Sequence, residues 1–183
     1  MLKLAIGVVA AAVAMFLWGF LYFGTGVMDP FAHMTSDGET AISEALRAHL
    51  PAHATYYVPD PKVGTMEEWG QRLQAGPMAE IHFNPTGDSP MNASVMVQGF
   101  IHMLITAALL ALAMQMIASA TPTYLDRLKV AALIGFTMSL FMHLGAPIWW
   151  HYDWWYAIVI FLYDFIAVTI AGAVLAYFVP VKQ

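Results

Sequence analysis

The sequence contains no cysteine, which excludes disulfides, Fe–S clusters, thiolate zinc sites and thiol catalysis. Charge is nearly as scarce: Asp, Glu, Lys and Arg make up 10% of 183 residues, where an ordinary soluble domain has about 25%. With only 7 bases against 12 acids, the chain lacks the clustered Lys and Arg of a nucleic-acid footprint, and no nucleic-acid partner is expected. It has no Gly-x-Ser-x-Gly, no Walker loop and no His-Glu-x-x-His, so no motif for nucleophilic or zinc-dependent hydrolysis is present. A non-catalytic protein is therefore the expectation.

What fills the sequence is apolar residues, at 60%. They gather into stretches long enough to cross a bilayer core of about 30 Å, which needs about 20 helical residues. Four stretches qualify: residues 4–27, 94–118, 130–148 and 154–179. The expected fold is an all-α membrane protein of four transmembrane helices, with a small α+β exported cap at residues 28–93. The lipid bilayer is its first partner. Lys3, Arg127, Lys129 and Lys182 fall on one side if the termini share it, and nine of the twelve acids lie in the 28–93 segment. The positive-inside rule then puts both termini in the cytoplasm and residues 28–93 on the exported side. Lys3 and the small residues Ala12-Val13-Ala14 give the first span a signal-peptide look. Its apolar residues continue to Val27, however, so it is read as a retained anchor. Trp149, Trp150, Tyr152, Trp154, Trp155 and Tyr156 crowd the link between the last two spans, as an interfacial belt or a docking surface.

The 28–93 segment carries its own signals. Ser36 and Glu39 form a capping box ahead of Ile42, Ala45, Leu46 and Leu50, an amphipathic helix that Pro51 ends. Thr55–Val58 is β-prone. Thr65 and Glu68 form a second capping box, for a helix closing at Gly76-Pro77, and Ala79, Ile81 and Phe83 alternate with Glu80 and His82 as in a half-buried strand. The connecting helix would permit the two strands to pair in parallel through a crossover. About 64 residues bury little core alone, so the cap is expected to rest on the membrane part or on another protein. The run Thr55-Tyr56-Tyr57-Val58-Pro59, the tripeptide Ala75-Gly76-Pro77, the segment His82-Phe83-Asn84-Pro85-Thr86-Gly87 and the aromatic stretch before the last span resemble an uncharacterised family of bacterial four-helix inner-membrane proteins. That resemblance implies the bacterial inner membrane and carries no assigned activity.

Ionisable residues inside spans are costly and mark candidate sites. There are three: His102, His143 and Asp164. Gln98, His102 and Thr106 form an i, i+4, i+8 stripe, as do Gly135, Ser139 and His143, while Ala157, Asp164 and Ala171 share a face. These faces are expected to point inward, with Gly7, Ala10 and Ala14 allowing close approach on the first span. Such residues serve as hydrogen bonds across the bundle, as a transition-metal site of His102, His143 and Asp164 with His151 and Asp153 nearby, as bis-histidine haem ligands (His102 and His143), or as a proton path. His49 and His53 have metal-pair spacing, but Pro51 interrupts it. Asp29, His33 and Asp37 are a further exported cluster. The 13 methionines are spread along the chain, as packing residues are. Two functional classes follow: an accessory, assembly or stabilising subunit acting by contact with other membrane subunits, and a metal- or haem-binding protein for electron transfer or metal handling.

Overall fold

The computed structural model describes residues 2–27 and 31–180. Asp29 and Lys182, used above for the exported cluster and for orientation, lie outside them. The elements in order are α1 (Leu2–Gly24), α2 (Ser36–His49), β1 (Ala54–Val58), α3 (Met66–Ala75), β2 (Ala79–Phe83), α4 (Ala93–Met116), α5 (Tyr124–His143), α6 (Ala146–Trp150) and α7 (Trp154–Phe178). They form two units, residues 1–31 with 91–183, and residues 32–90. In the first, four helices are long and apolar enough to cross a membrane: α1, α4, α5 continued by α6, and α7.

The long helices run antiparallel to their packing partners in the spatial order α4, α1, α7, α5. Small residues set the closeness of the seams. A Cβ added at Gly172 of α7 would fall on the Cβ of Ala131 in α5, and one at Gly135 would lie 3.0 Å from the Val168 Cβ. Gly7 does the same for α1, its absent Cβ falling 2.5 Å from that of Phe178. The buried face of α1 is Gly7, Ala11, Ala12 and Met15, with Ala10 and Ala14 only half-buried, so the close-approach stripe follows the i, i+4 row from Gly7 and differs from the Gly7, Ala10, Ala14 reading. Trp18 Nε1 donates to the Tyr163 carbonyl (3.2 Å) and the Tyr22 hydroxyl to the Val159 carbonyl (2.9 Å), fastening α1 to α7 near the other end. α5 begins at Tyr124, earlier than residue 130, because Thr123 and Asp126 make a capping box; it ends at His143, and Gly145 separates it from the short α6.

The second unit is a two-stranded sheet with two helices. β1 and β2 are antiparallel, with Val58 opposite Ala79 and Ala54 opposite Phe83, which replaces the parallel crossover. The connection leaves at Val58 and returns at Ala79, both at one end of the ladder; a parallel strand would have to start at the other end. The Thr65–Glu68 capping box of α3 is present as expected. α2 is capped one residue earlier than the sequence suggested, by Thr35, whose hydroxyl accepts from the Gly38 N–H at 3.2 Å. No residue of α2 is buried, and its apolar stripe leaves Ile42 47% exposed. Phe83 is the one buried residue among residues 32–90.

Candidate functional site

The seam between α5 and α7 carries the polar centre of the bundle. Its α5 side is a row at every fourth residue: Arg127, Ala131, Gly135 and Ser139, all buried, followed by His143. Its α7 side includes the buried Ala157, Ala167, Ala171, Gly172 and Ala176, of which Ala157 and Ala171 are in phase with Asp164. Side chains on both helices lean toward their own N-termini, so in an antiparallel pair His143 and Asp164 lean toward each other. His143 Nε2 lies 2.6 Å from Asp164 Oδ2, a short, charge-assisted hydrogen bond. Asp164 is ten residues into α7, about 15 Å from its start at 1.5 Å per residue. The imidazole is 20% exposed and the carboxylate 43%, so the pair is shielded but still reachable from outside the bundle.

The remaining sequence-predicted residues are elsewhere. His102 lies on the exposed side of α4, with Gln98; both had been expected to face inward. The buried residues of α4 are Ala107, Leu110, Ala111 and Met114, and His102 is nine residues from Ala111, which is half a turn away around the helix. α4 packs chiefly on α1 and hardly on α5, so His102 and His143 sit on helices that are not principal neighbours. Thr106 donates to the His102 backbone carbonyl at 3.0 Å. His151 is exposed in a left-handed turn (φ 59°) that closes α6. Asp153 caps α7, accepting from the Tyr156 N–H at 2.8 Å. His49 ends α2 ahead of Pro51, whereas His53 lies beyond it. Among the described residues no group of three or more His, Asp or Glu is placed to share a metal ion. Of the set His102, His143, Asp164 and His151, the structure joins two. In that pair the carboxylate holds Nε2 and Nδ1 is the nitrogen left for a ligand, the arrangement in which a carboxylate orients a metal-bound histidine.

Arg127, which the sequence offers only as one of the charges that orient the spans, is 4% exposed. Its Nε donates to the Thr121 carbonyl (3.0 Å) and its Nη1 to those of Ala176 (3.1 Å) and Val179 (2.6 Å). The last two belong to the final turn of α7, whose carbonyls have no partner within the helix and whose dipole favours a cation. Arg127 thus ties the α4–α5 link to the end of α7, while its Nη2 has no hydrogen-bond partner among the described residues. The available signal was its phase: Arg127, Ala131, Gly135, Ser139 and His143 are successive i+4 positions.

This geometry defines a class, a helical protein with four potential membrane spans and a His–Asp pair clasping two of them. Comparison takes it no further, because no protein family, curated protein or solved structure matches the chain.

Proposed function

We propose that the protein is a multi-pass protein of the bacterial inner membrane that works by contact, as an accessory, assembly or stabilising subunit of a larger membrane complex. One observation carries this reading: residues 32–90 contain a single buried side chain, Phe83. A two-stranded sheet and two short helices with so little core are marginal alone, and the exposed apolar stripe of α2 gives a partner a surface to cover. The α4 face agrees with it. His102 has no ring partner among the described residues, and an imidazole and the Gln98 amide on an uncovered spanning helix are costly in lipid but useful against another subunit's helix. Trp149, Trp150, Trp154 and Trp155, each at least 50% exposed, add an aromatic rim.

Both termini are assigned to the cytoplasm and residues 28–93 to the periplasm. A reporter fused after Gln183 should read as cytoplasmic and one inserted at Gly87 as exported; the inverse pattern would overturn the charge argument. The contact reading predicts that the protein co-purifies with other chains at fixed stoichiometry. The alternative, a metal- or haem-binding protein, draws on His143 and Asp164, while His102, the expected second haem ligand, lies on the exposed side of a helix that packs on α1. A Soret band, or about one metal per chain lost in His143→Ala, would establish it in place of the contact reading.

A further inference from the structure

The bundle has a crevice that the seams and the His–Asp pair do not use. It lies between the start of α1, the last two turns of α4 and the end of α7, and its volume is about 510 Å³. Leu4, Val8, Ala108 and Leu112 give it an apolar wall, while Lys3 and Gln115 are its polar lining residues. Both polar groups belong to the same end of the bundle, Lys3 in the first turn of α1 and Gln115 one residue before the end of α4. The Gln115 side chain has no hydrogen bond among the described residues. Along α4 the lining runs from Ala108 to Gln115, about 10 Å at 1.5 Å per residue, against about 15 Å for the hydrocarbon of one leaflet.

An apolar slot that starts at the helix ends, with a cation and an unpaired amide at its mouth, has the polarity of an amphiphile lying parallel to the helices. Lys3 is the one charged residue among those that line the crevice. We propose that the crevice binds one anionic glycerophospholipid, its phosphate at Lys3 and Gln115 and one acyl chain along the α1–α4 wall. This assignment rests on the membrane reading above. Basic pockets between spanning helices on the cytoplasmic side recognise lipid headgroups by the same electrostatics, and each nearby Lys is worth about 1 kcal/mol toward an anionic surface.

The test is lipid retention by the full-length protein, purified in mild detergent and mixed with equimolar phosphatidylglycerol and phosphatidylcholine of identical chains, then read by native mass spectrometry. One phosphatidylglycerol per chain should be retained in preference. Lys3→Gln should cut that preference about fivefold, the equivalent of one nearby Lys. Lys129→Gln, an exposed cation at the same end, should leave it intact. Ala108→Trp, which fills the slot, should lose both lipids. Equal retention of the two lipids by the wild type, or equal loss in Lys3→Gln and Lys129→Gln, would overturn the assignment even if Ala108→Trp fails to fold. Recovery of the chain from the soluble fraction of cells would instead refute the membrane reading itself, which separates the two failures.

Discussion

The α5–α7 seam makes a quantitative prediction at Gly172. A methyl group there would occupy the place of the Ala131 Cβ, which is no flexible side-chain end that could move aside. Gly172→Ala therefore has to push the helices apart at a point where Gly135 already meets Val168 closely and where the 2.6 Å His143–Asp164 bond depends on the spacing. Overpacking of this kind costs about 1–3 kcal/mol. The better helix propensity of alanine returns up to about 1 kcal/mol, leaving a net loss of up to about 2 kcal/mol. Gly99→Ala on α4 is the control, because an added Cβ meets nothing within 4 Å there, and it should gain about 0.5–1 kcal/mol. Combining Gly172→Ala with Ala131→Gly moves one methyl group from α5 to α7 across the same contact. The double variant should recover to within about 0.5 kcal/mol of wild type, although each single change is destabilising, a coupling of about 2 kcal/mol. Reversible unfolding of the purified protein in mixed micelles, followed by helical circular dichroism, measures all four. Additive effects, or a Gly172→Ala protein that gains stability as Gly99→Ala does, would refute the seam.

Other expectations follow from the same geometry. A double-mutant cycle of His143→Phe and Asp164→Leu should give a coupling of about 1 kcal/mol, since interhelical hydrogen bonds in membranes are modest and this carboxylate is 43% exposed; additivity within about 0.3 kcal/mol would mean the contact holds nothing. Arg127→Lys, which replaces a planar fork by a point charge, should destabilise by about 1–2 kcal/mol and speed hydrogen exchange of the last α7 amides, whereas unchanged exchange would count against the clasp. In α3, the Thr65 backbone N–H and then its hydroxyl hold the Glu68 carboxyl below its usual range, with the Arg72 charge adding to them. Because the folded value is the lower one, this contribution is complete above the unfolded glutamate value of about 4.3 and disappears as pH falls through the folded value. Amide protection in α3 should therefore weaken on acidification in the wild type, and much less so in Glu68→Gln.

Much of this architecture was legible because periodicity and capping are local. The spans near residues 94–118 and 154–179 match α4 and α7 to within two residues, and the Thr65–Glu68 box gives the start of α3. His143 and Asp164 could be paired in principle because Gly135, Ser139, Ala157 and Ala171 mark their faces as close-packed. The face of His102 was not legible, since the Ala107, Ala111 and Met114 row half a turn away is equally regular and only the packing of α4 on α1 selects it. The burial of Arg127 was not legible for a related reason. A charge near a span end reads as solvated, and its burial depends on carbonyls about 50 residues later at the end of α7. Strand direction in residues 32–90 also escaped, because a ten-residue helix between strands is compatible with either sense until the connection's ends are placed.

The contact role is tested most directly by the composition of the particle that contains the protein, extracted from membranes in a polymer without detergent and weighed as wild type and as Ile42→Asp. Ile42 is exposed on α2, so its replacement leaves the chain's own packing intact while placing a charge in the stripe that a partner would cover. The account predicts a discrete assembly of fixed composition containing other chains, from which Ile42→Asp is released. A lone 20.1 kDa chain in both preparations, or an assembly indifferent to Ile42→Asp, would contradict it.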